Sequence, residues 1–168
     1  PIPLFLPEFR VNYKAGTRGL MALLLPCDGW NIWQGRSDFQ VMHALGRAAR
    51  DFGLGKTDVE FHGYWSKDLP VRISTDNQAA PEVRTSVWSR PGHGALVVVA
   101  NHNLDRDIDT RITLDLPRLG LADGAEAADA EHRLQWLPTR GSIRARVKAK
   151  DYRLFWLRPG TAAGADVP

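Results

Sequence analysis

Residues 82–101, Glu82-Val83-Arg84-Thr85-Ser86-Val87-Trp88-Ser89-Arg90-Pro91-Gly92-His93-Gly94-Ala95-Leu96-Val97-Val98-Val99-Ala100-Asn101, carry the reading on which the fold turns. Val83 to Arg90 and Ala95 to Asn101 are strand-like, and Pro91-Gly92-His93-Gly94 between them is a turn-prone group. Side chains alternate across a strand, so Val83, Thr85 and Val87 share one face and Arg84, Ser86, Trp88 and Arg90 share the other. Val97-Val98-Val99 reads as part of a central strand. Trp88 interrupts the polar face. An indole there serves either to bind carbohydrate or to dock on a neighbouring domain.

The same grammar continues downstream. Thr110 to Leu116, Ala125 to Ala130, Arg133 to Leu137, Ile143 to Ala149 and Tyr152 to Arg158 are short strand candidates. Asn101-His102-Asn103, Ala122-Asp123-Gly124 and Pro138-Thr139-Arg140-Gly141 punctuate them. About seven strands at this spacing predict an antiparallel β-sandwich over residues 83–158, with 159–168 as a flexible tail. Trp136 and Trp156 read as packing within the sandwich. In the run Arg144, Arg146, Lys148 and Lys150 the cations alternate with Ile143, Ala145, Val147 and Ala149. That pattern serves either as a solvated face that discourages edge pairing or as a site for a polyanion.

Upstream the period changes. Leu20-Met21-Ala22-Leu23-Leu24-Leu25, ended by Pro26, is a continuous apolar run that suits a strand buried on both faces of a parallel sheet. Ser37, with Gln40 three residues on, predicts a capping box. Phe39, Met42, Leu45, Ala49 and Phe52 then form one helical stripe, and Gly53 supplies a left-handed stop. Val59-Glu60-Phe61-His62 is a further strand candidate. Strand, helix, strand predicts parallel pairing. Two such strands and one helix cannot enclose a parallel sheet, so residues 1–73 are expected to be the end of a larger α/β domain, in keeping with a start at Pro1. Residues 74–82 are the expected linker.

Composition sets the outer bounds. The chain has 168 residues, 43% apolar and 24% charged, which excludes a disordered polyelectrolyte. Its apolar runs are far shorter than the ~20 residues of a membrane-spanning helix, so no membrane partner is expected. Twenty-two Lys and Arg against 19 Asp and Glu give a net charge of +3, too mild to predict a nucleic-acid partner. A single cysteine, Cys27, excludes an internal disulfide framework and leaves the compartment open. The five histidines show no i, i+4 pair, and Asp105-Arg106-Asp107-Ile108-Asp109 lacks the glycine and glutamate of a calcium loop. Gly53-Leu54-Gly55-Lys56-Thr57 lacks the phosphate-loop spacing. No metal and no cofactor are expected.

Several words resemble glycoside hydrolases in which a (β/α)8 barrel carries a C-terminal β-domain. Val59-Glu60-Phe61-His62-Gly63-Tyr64-Trp65 resembles the exit from the last barrel strand, and the 82–101 stretch resembles the first hairpin of the β-domain. Leu114-Asp115-Leu116-Pro117-Arg118-Leu119-Gly120-Leu121, Ala127-Ala128-Asp129-Ala130 and Lys150-Asp151-Tyr152-Arg153-Leu154-Phe155-Trp156-Leu157 resemble its later strands. The resemblance implies a mixed fold: a partial α/β TIM-barrel end, then an antiparallel β-sandwich that braces it. It also implies a parent acting on a saccharide, with the upstream barrel portion as intramolecular partner. Glycoside hydrolysis needs two flanking carboxyl groups, and the strands that usually supply them are not in this chain. The alternative is a noncatalytic carbohydrate-binding or structural β-sandwich module.

Within the resemblance, Asp28 follows the expected strand Leu20–Leu25 at the end where barrel active sites gather, so it is the candidate acid. Trp30 and Trp33 in the same loop offer flat faces to sugar rings, or pack the loop. His62 and Tyr64 would stand at the rim, with Trp65 beside them, or form the seam between barrel and sandwich. The candidate substrate-binding set is therefore Asp28, Trp30, Trp33, His62 and Tyr64.

Overall fold

A computed structural model describes residues 13–30, 37–75, 81–132 and 135–160. In chain order the elements are α1 (Tyr13–Leu24), α2 (Phe39–Phe52), β1 (Glu60–His62), β2 (Val71–Thr75), β3 (Val83–Arg90), β4 (Gly94–Asn101), β5 (Ile108–Leu114), β6 (Glu126–Asp129), β7 (Leu137–Pro138), β8 (Ser142–Val147) and β9 (Asp151–Arg158). They build two antiparallel sheets, one of six strands ordered β1-β3-β4-β9-β6-β7 and one of three ordered β2-β5-β8. β3 and β4 pair along their whole length, Val83 opposite Asn101 and Arg90 opposite Gly94. Gly94 has φ 111°, and a Cβ there would collide with the Leu157 carbonyl of β9, so the turn requires glycine.

All eight residues of β4 are buried, because the six-stranded sheet is covered on both sides. Val87, Val97, Val99 and Leu157 face the three-stranded sheet, where Ile112, Leu114 and Val147 complete one core. Trp88, Leu96, Val98, Ala100, Tyr152 and Leu154 face the helices and meet Met21, Leu25, Val41, Leu45 and Phe52 in a second. Each fully buried side chain of this kind contributes roughly 1.5–3 kcal/mol. The molecule is thus three layers: two helices, six strands, three strands.

Polar pegs fix the helices to the sheet. Arg18 of α1 bonds Asp151 (Nε–Oδ1 2.6 Å), Glu131 (Nη1–Oε1 3.1 Å) and the Tyr152 carbonyl (2.8 Å), with its guanidinium over the Tyr152 ring. Tyr152 Oη donates to Glu131 Oε1 at 2.9 Å, and Arg47 of α2 donates to the Glu131 carbonyl at 2.8 Å. Burial raises the Tyr152 pKa, and the neighbouring Glu131 charge raises it further, so the hydroxyl stays a donor. At the other end of α1, His102 bonds the Ala22 carbonyl at 2.9 Å and Ser86 donates to the Pro26 carbonyl at 2.7 Å. These are carbonyls that a helix end leaves unpaired. Arg90 does the same for α2, donating to the Phe52 carbonyl at 3.1 Å while pairing with Asp58.

The antiparallel strands between Val83 and Arg158 and α2 match the reading of the sequence, but the sandwich also takes in β1 and β2 from the segment expected to end a barrel, and the parallel α/β element is not formed. Leu20–Leu25 is not a strand: it completes α1 and enters a 3₁₀ turn at Leu25–Cys27. The run contains no β-branched residue and Thr17, Met21 and Leu25 fall four apart on the buried side, so helix propensity and stripe outweigh the apolar length. The continuous run that does lie in a strand buried on both faces is Ala95–Ala100. The strand expected at Val59–His62 exists as β1, but it pairs antiparallel with β3, Phe61 opposite Trp88, and every strand pair among the described residues is antiparallel. No TIM-barrel end is shown. Ser74 and Thr75, placed at the start of the linker, instead end β2, which pairs with β5. The cap of α2 is Asp38, not Ser37: Asp38 has extended geometry, and its carboxylate accepts the Val41 amide at 3.0 Å. Gly53 ends that helix at φ 85°, as expected. Trp156 faces α2 rather than the sandwich interior, its ring at 84° to Phe52 and 5.9 Å away. No helix among the described residues is long and apolar enough to cross a membrane.

Two outcomes follow from the pegs. Replacing Arg18 by Met strands the Glu131 carboxylate, whose side chain is 4% exposed, and should cost about 3–5 kcal/mol in urea unfolding. A loss below about 1 kcal/mol, the level of a surface pair, would remove the clamp from the account. The second concerns pH. Burial pushes the Asp129 carboxyl up, but the hydrogen bond from His132 and the charge of Arg153 outweigh it and hold the pKa below the usual range. Asp58, bonded by Arg90, and Asp107, bonded by the Ala149 amide and Arg146, shift the same way. A depressed folded-state pKa stabilises fully above the unfolded value and is lost as pH falls through the folded one. Stability should therefore decline below about pH 4, and Asp129→Asn should flatten that decline in urea midpoints measured against pH.

Candidate functional site

On the helix side of the six-stranded sheet, the 3₁₀ turn, the end of α2 and β1 border an open, shallow pocket of about 490 Å³. Asp28, Trp30, Phe61 and Trp88 line it, together with Arg50 and Lys56. Trp88 is its base, 1% exposed. Trp30 packs on Trp88 with ring centres 5.5 Å apart, and Phe61 packs on Trp88 at 5.2 Å. The row continues outward through Phe61 to Trp65 at 6.0 Å and from Trp65 to Tyr64 at 5.0 Å. Trp65 is 60% exposed and Tyr64 is 40% exposed, with the Arg84 guanidinium over the Tyr64 ring. Five aromatic rings thus run from a buried base to open solvent.

The backbone explains the arrangement. Asp28 ends the 3₁₀ turn in the left-handed region, φ 58°, and its amide bonds the Leu25 carbonyl. This reversal directs its carboxylate at the sheet, where Oδ1 accepts the Trp88 indole N–H at 2.7 Å. Asp28 therefore holds the buried indole, and that is the turn-closing, structural use of the residue. The Trp30 indole N–H is buried without an acceptor among the described residues, the kind of group that a bound hydroxyl or water satisfies.

Of the expected set, Asp28 and Trp30 come together in the pocket and Tyr64 stands at the open end of the aromatic row. Its amide donates to Ser86 Oγ at 2.8 Å, which ties that end to the sheet. Trp33 lies outside the described residues. His62 is not with the others. Phe61 faces the helices with Trp88, so alternation turns His62 to the opposite face, where Nε2 lies 3.0 Å from Ser89 Oγ and 3.9 Å from exposed Glu60. Trp88 and Phe61 escaped the sequence-based set. Phase is readable for Trp88, on the face opposite Val87, but its cover is not: this chain's own helices and rings supply it, rather than a ligand or a neighbouring domain. Among the described residues no three His, Cys, Asp or Glu side chains converge as metal ligands.

No protein-family model matches the chain, and no curated protein matches it in sequence. Solved structures share its fold. A provisionally assigned α-N-acetylgalactosaminidase from Bacillus halodurans C-125 aligns over 95% of this chain and 34% of its own, with TM-score 0.57 and 14% identity. A GH27 β-L-arabinopyranosidase from Geobacillus stearothermophilus aligns over 92% of this chain and 32% of its own, with TM-score 0.53 and 12% identity. The structural neighbours are glycoside hydrolases, and the chain spans about a third of the length of each.

The Asp28–Trp88 bond has a direct test. Asp28→Ala leaves the buried Trp88 indole N–H without its acceptor and should cost about 1–3 kcal/mol more in chemical denaturation than Asp28→Asn, whose amide oxygen can still accept that N–H. Equal unfolding free energies for the two variants would show that Asp28 does not anchor the pocket.

Proposed function

We propose that this chain is the C-terminal region of a glycoside-hydrolase-like protein acting on carbohydrate. In this reading the chain is a noncatalytic bracing domain, with α1, α2, β1 and β2 part of the sandwich unit itself, and the barrel that it braces belongs to a preceding part of the parent protein. Two supports stand behind it. The fold is shared with two glycosidases over about a third of each, and the aromatic pocket has the composition of a sugar-contacting surface: flat faces beside polar groups. The observation that carries the noncatalytic part is the bond between Asp28 and Trp88. A carboxylate that orients a buried indole is occupied as a structural acceptor, so Asp28 serves binding and architecture while the catalytic carboxylate pair belongs to the upstream barrel. Trp30 supplies a stacking face, with Trp33 as a second. The exposed ends of the row, Tyr64 and Trp65, form the seam against the barrel.

The same aromatic row supports a second reading from the same pocket, a carbohydrate-binding module that works without a barrel. Expressing this chain and an upstream-extended form on a panel of neutral glycans separates the two. Hydrolysis by the extended form alone is expected, with weak glycan binding by the short chain that Trp30→Ala reduces about tenfold or more, the equivalent of one lost aromatic contact of about 1.4 kcal/mol. Hydrolysis by the short chain would overturn the noncatalytic assignment. Glycan binding by neither form would sink the carbohydrate reading altogether.

A further inference from the structure

The outer face of the three-stranded sheet has no part in the aromatic pocket. Register places Arg72 of β2, Arg111 of β5 and Arg144 and Arg146 of β8 on it, with Ser74, Thr113 and Ser142 between them. All four arginines are exposed, while their neighbours Val71, Ile112 and Val147 are buried on the inner side. An open hollow of about 490 Å³, lined by Arg111, Arg144 and Arg146, lies on this face, and one of about 670 Å³, lined by Arg72, Arg118 and Arg140, opens at the end of the sheet.

Three observations go beyond a solvated surface. First, cations on β2 and β8 can be explained as protection of sheet edges, but Arg111 sits on the central strand β5, which has no free edge. Second, Arg111 is directly opposite Arg144, and like charges opposed across a strand pair are destabilising. Third, Arg140 occupies the first of two positive-φ positions, φ 45° before Gly141 at φ 76°, in the tight turn closed by the Ser142 amide on the Thr139 carbonyl. Asn, Asp or Gly is favoured there, and arginine is strained. Against these cations the face sets Asp109, opposite Arg146, and Asp107, which pairs with Arg146 at 3.3 Å; Asp115 and Asp123 flank the larger hollow. Among the described residues Arg72, Arg111, Arg140 and Arg144 make no ion pair or side-chain hydrogen bond. Local rules are broken repeatedly in one direction, toward unpaired guanidinium groups.

We propose that this face binds an acidic polysaccharide, with Arg72, Arg111, Arg144 and Arg140 forking onto carboxylate or sulfate groups along the polymer. The interspersed Ser74, Thr113 and Ser142 hydroxyls suit sugar hydroxyls, and neither hollow carries an aromatic ring on which a nucleobase could stack. The choice of a glycan as the polyanion rests on the carbohydrate reading above; the cationic face itself does not.

Titrating the full chain with polygalacturonate, heparin, dextran and a short DNA duplex tests the proposal. Tighter binding of at least one acidic glycan than of dextran or DNA is expected, weakening as salt rises. Polygalacturonate carries carboxylate alone whereas heparin carries sulfate as well, so the pair reports whether carboxylate suffices. The double variant Arg111→Thr, Arg144→Thr should lose about tenfold or more in affinity, the equivalent of one charge-assisted hydrogen bond. Its Tm should rise, because the opposed charges become a favourable Thr–Thr pair. Arg72→Ser, on a different strand, should also weaken binding and guards against a folding defect in the double variant. Trp30→Ala should leave acidic-glycan binding intact, so loss of neutral-glycan binding at the pocket and loss of this site are distinguishable. Failure of both acidic polymers to bind at low salt, unchanged affinity in the arginine variants, or equal affinity for DNA would each overturn the proposal.

Discussion

The contact between the helices and the six-stranded sheet is the constraint on which the rest of the structure depends. A sandwich of two sheets needs only its inner faces apolar, yet β3, β4 and β9 carry large apolar side chains on both faces. Leu96, Val98, Tyr152 and Leu154 could not be left in water beside Trp88 without a large exposed patch. α1 and α2 remove that patch, and the buried Arg18–Glu131–Tyr152 group decides where α1 sits. Apolar packing is tolerant of small rotations, whereas a guanidinium that must meet Glu131, Asp151 and a backbone carbonyl together is not.

The candidate site is a by-product of that same docking. Because α1 stops in a 3₁₀ turn held by Ser86 through the Pro26 carbonyl, Asp28 arrives at the sheet at the position of Trp88. Because β1 adds to the edge of β3 with Phe61 opposite Trp88, the aromatic row extends from that indole outward. One side of the molecule thereby presents aromatic faces, and the far side, on the three-stranded sheet, presents cations. The two surfaces are separated by both cores and differ in chemistry: stacking and hydroxyl recognition on one, charge on the other.

The sandwich strands were legible because alternation and turn residues act locally. Val83–Arg90 and Tyr152–Arg158 were read to within a residue, and Gly53 marked the end of α2, since φ 85° is a local demand that glycine meets. The failures share a cause. A short apolar run does not declare its period, so Leu20–Leu25 was read as a buried strand when Leu, Met and Ala favoured the helix that formed. A strand's partner is likewise not local: Val59–His62 was recognised as extended, but only packing decided that it pairs antiparallel with β3. At the site, Asp28 and Trp30 line the same hollow. The bond that defines the role of Asp28 joins residues sixty apart, and no local pattern encodes it.

By itself the sequence determined most of the strands between Val83 and Arg158, where α2 begins to within a residue and where it ends, and which face of those strands is apolar. Those properties follow from side-chain volume, backbone φ preference and periodicities of two and 3.6 residues. Tertiary structure alone decided that a sheet apolar on both faces would be closed by this chain's own helices, which turned Trp88 from an outward contact into the buried base of a pocket. It also decided that Arg111 and Arg144, thirty-three positions apart by their numbering, would face one another across β5 and β8. Both are consequences of long-range register, and register is chosen by the burial of whole faces rather than by any residue's own preference.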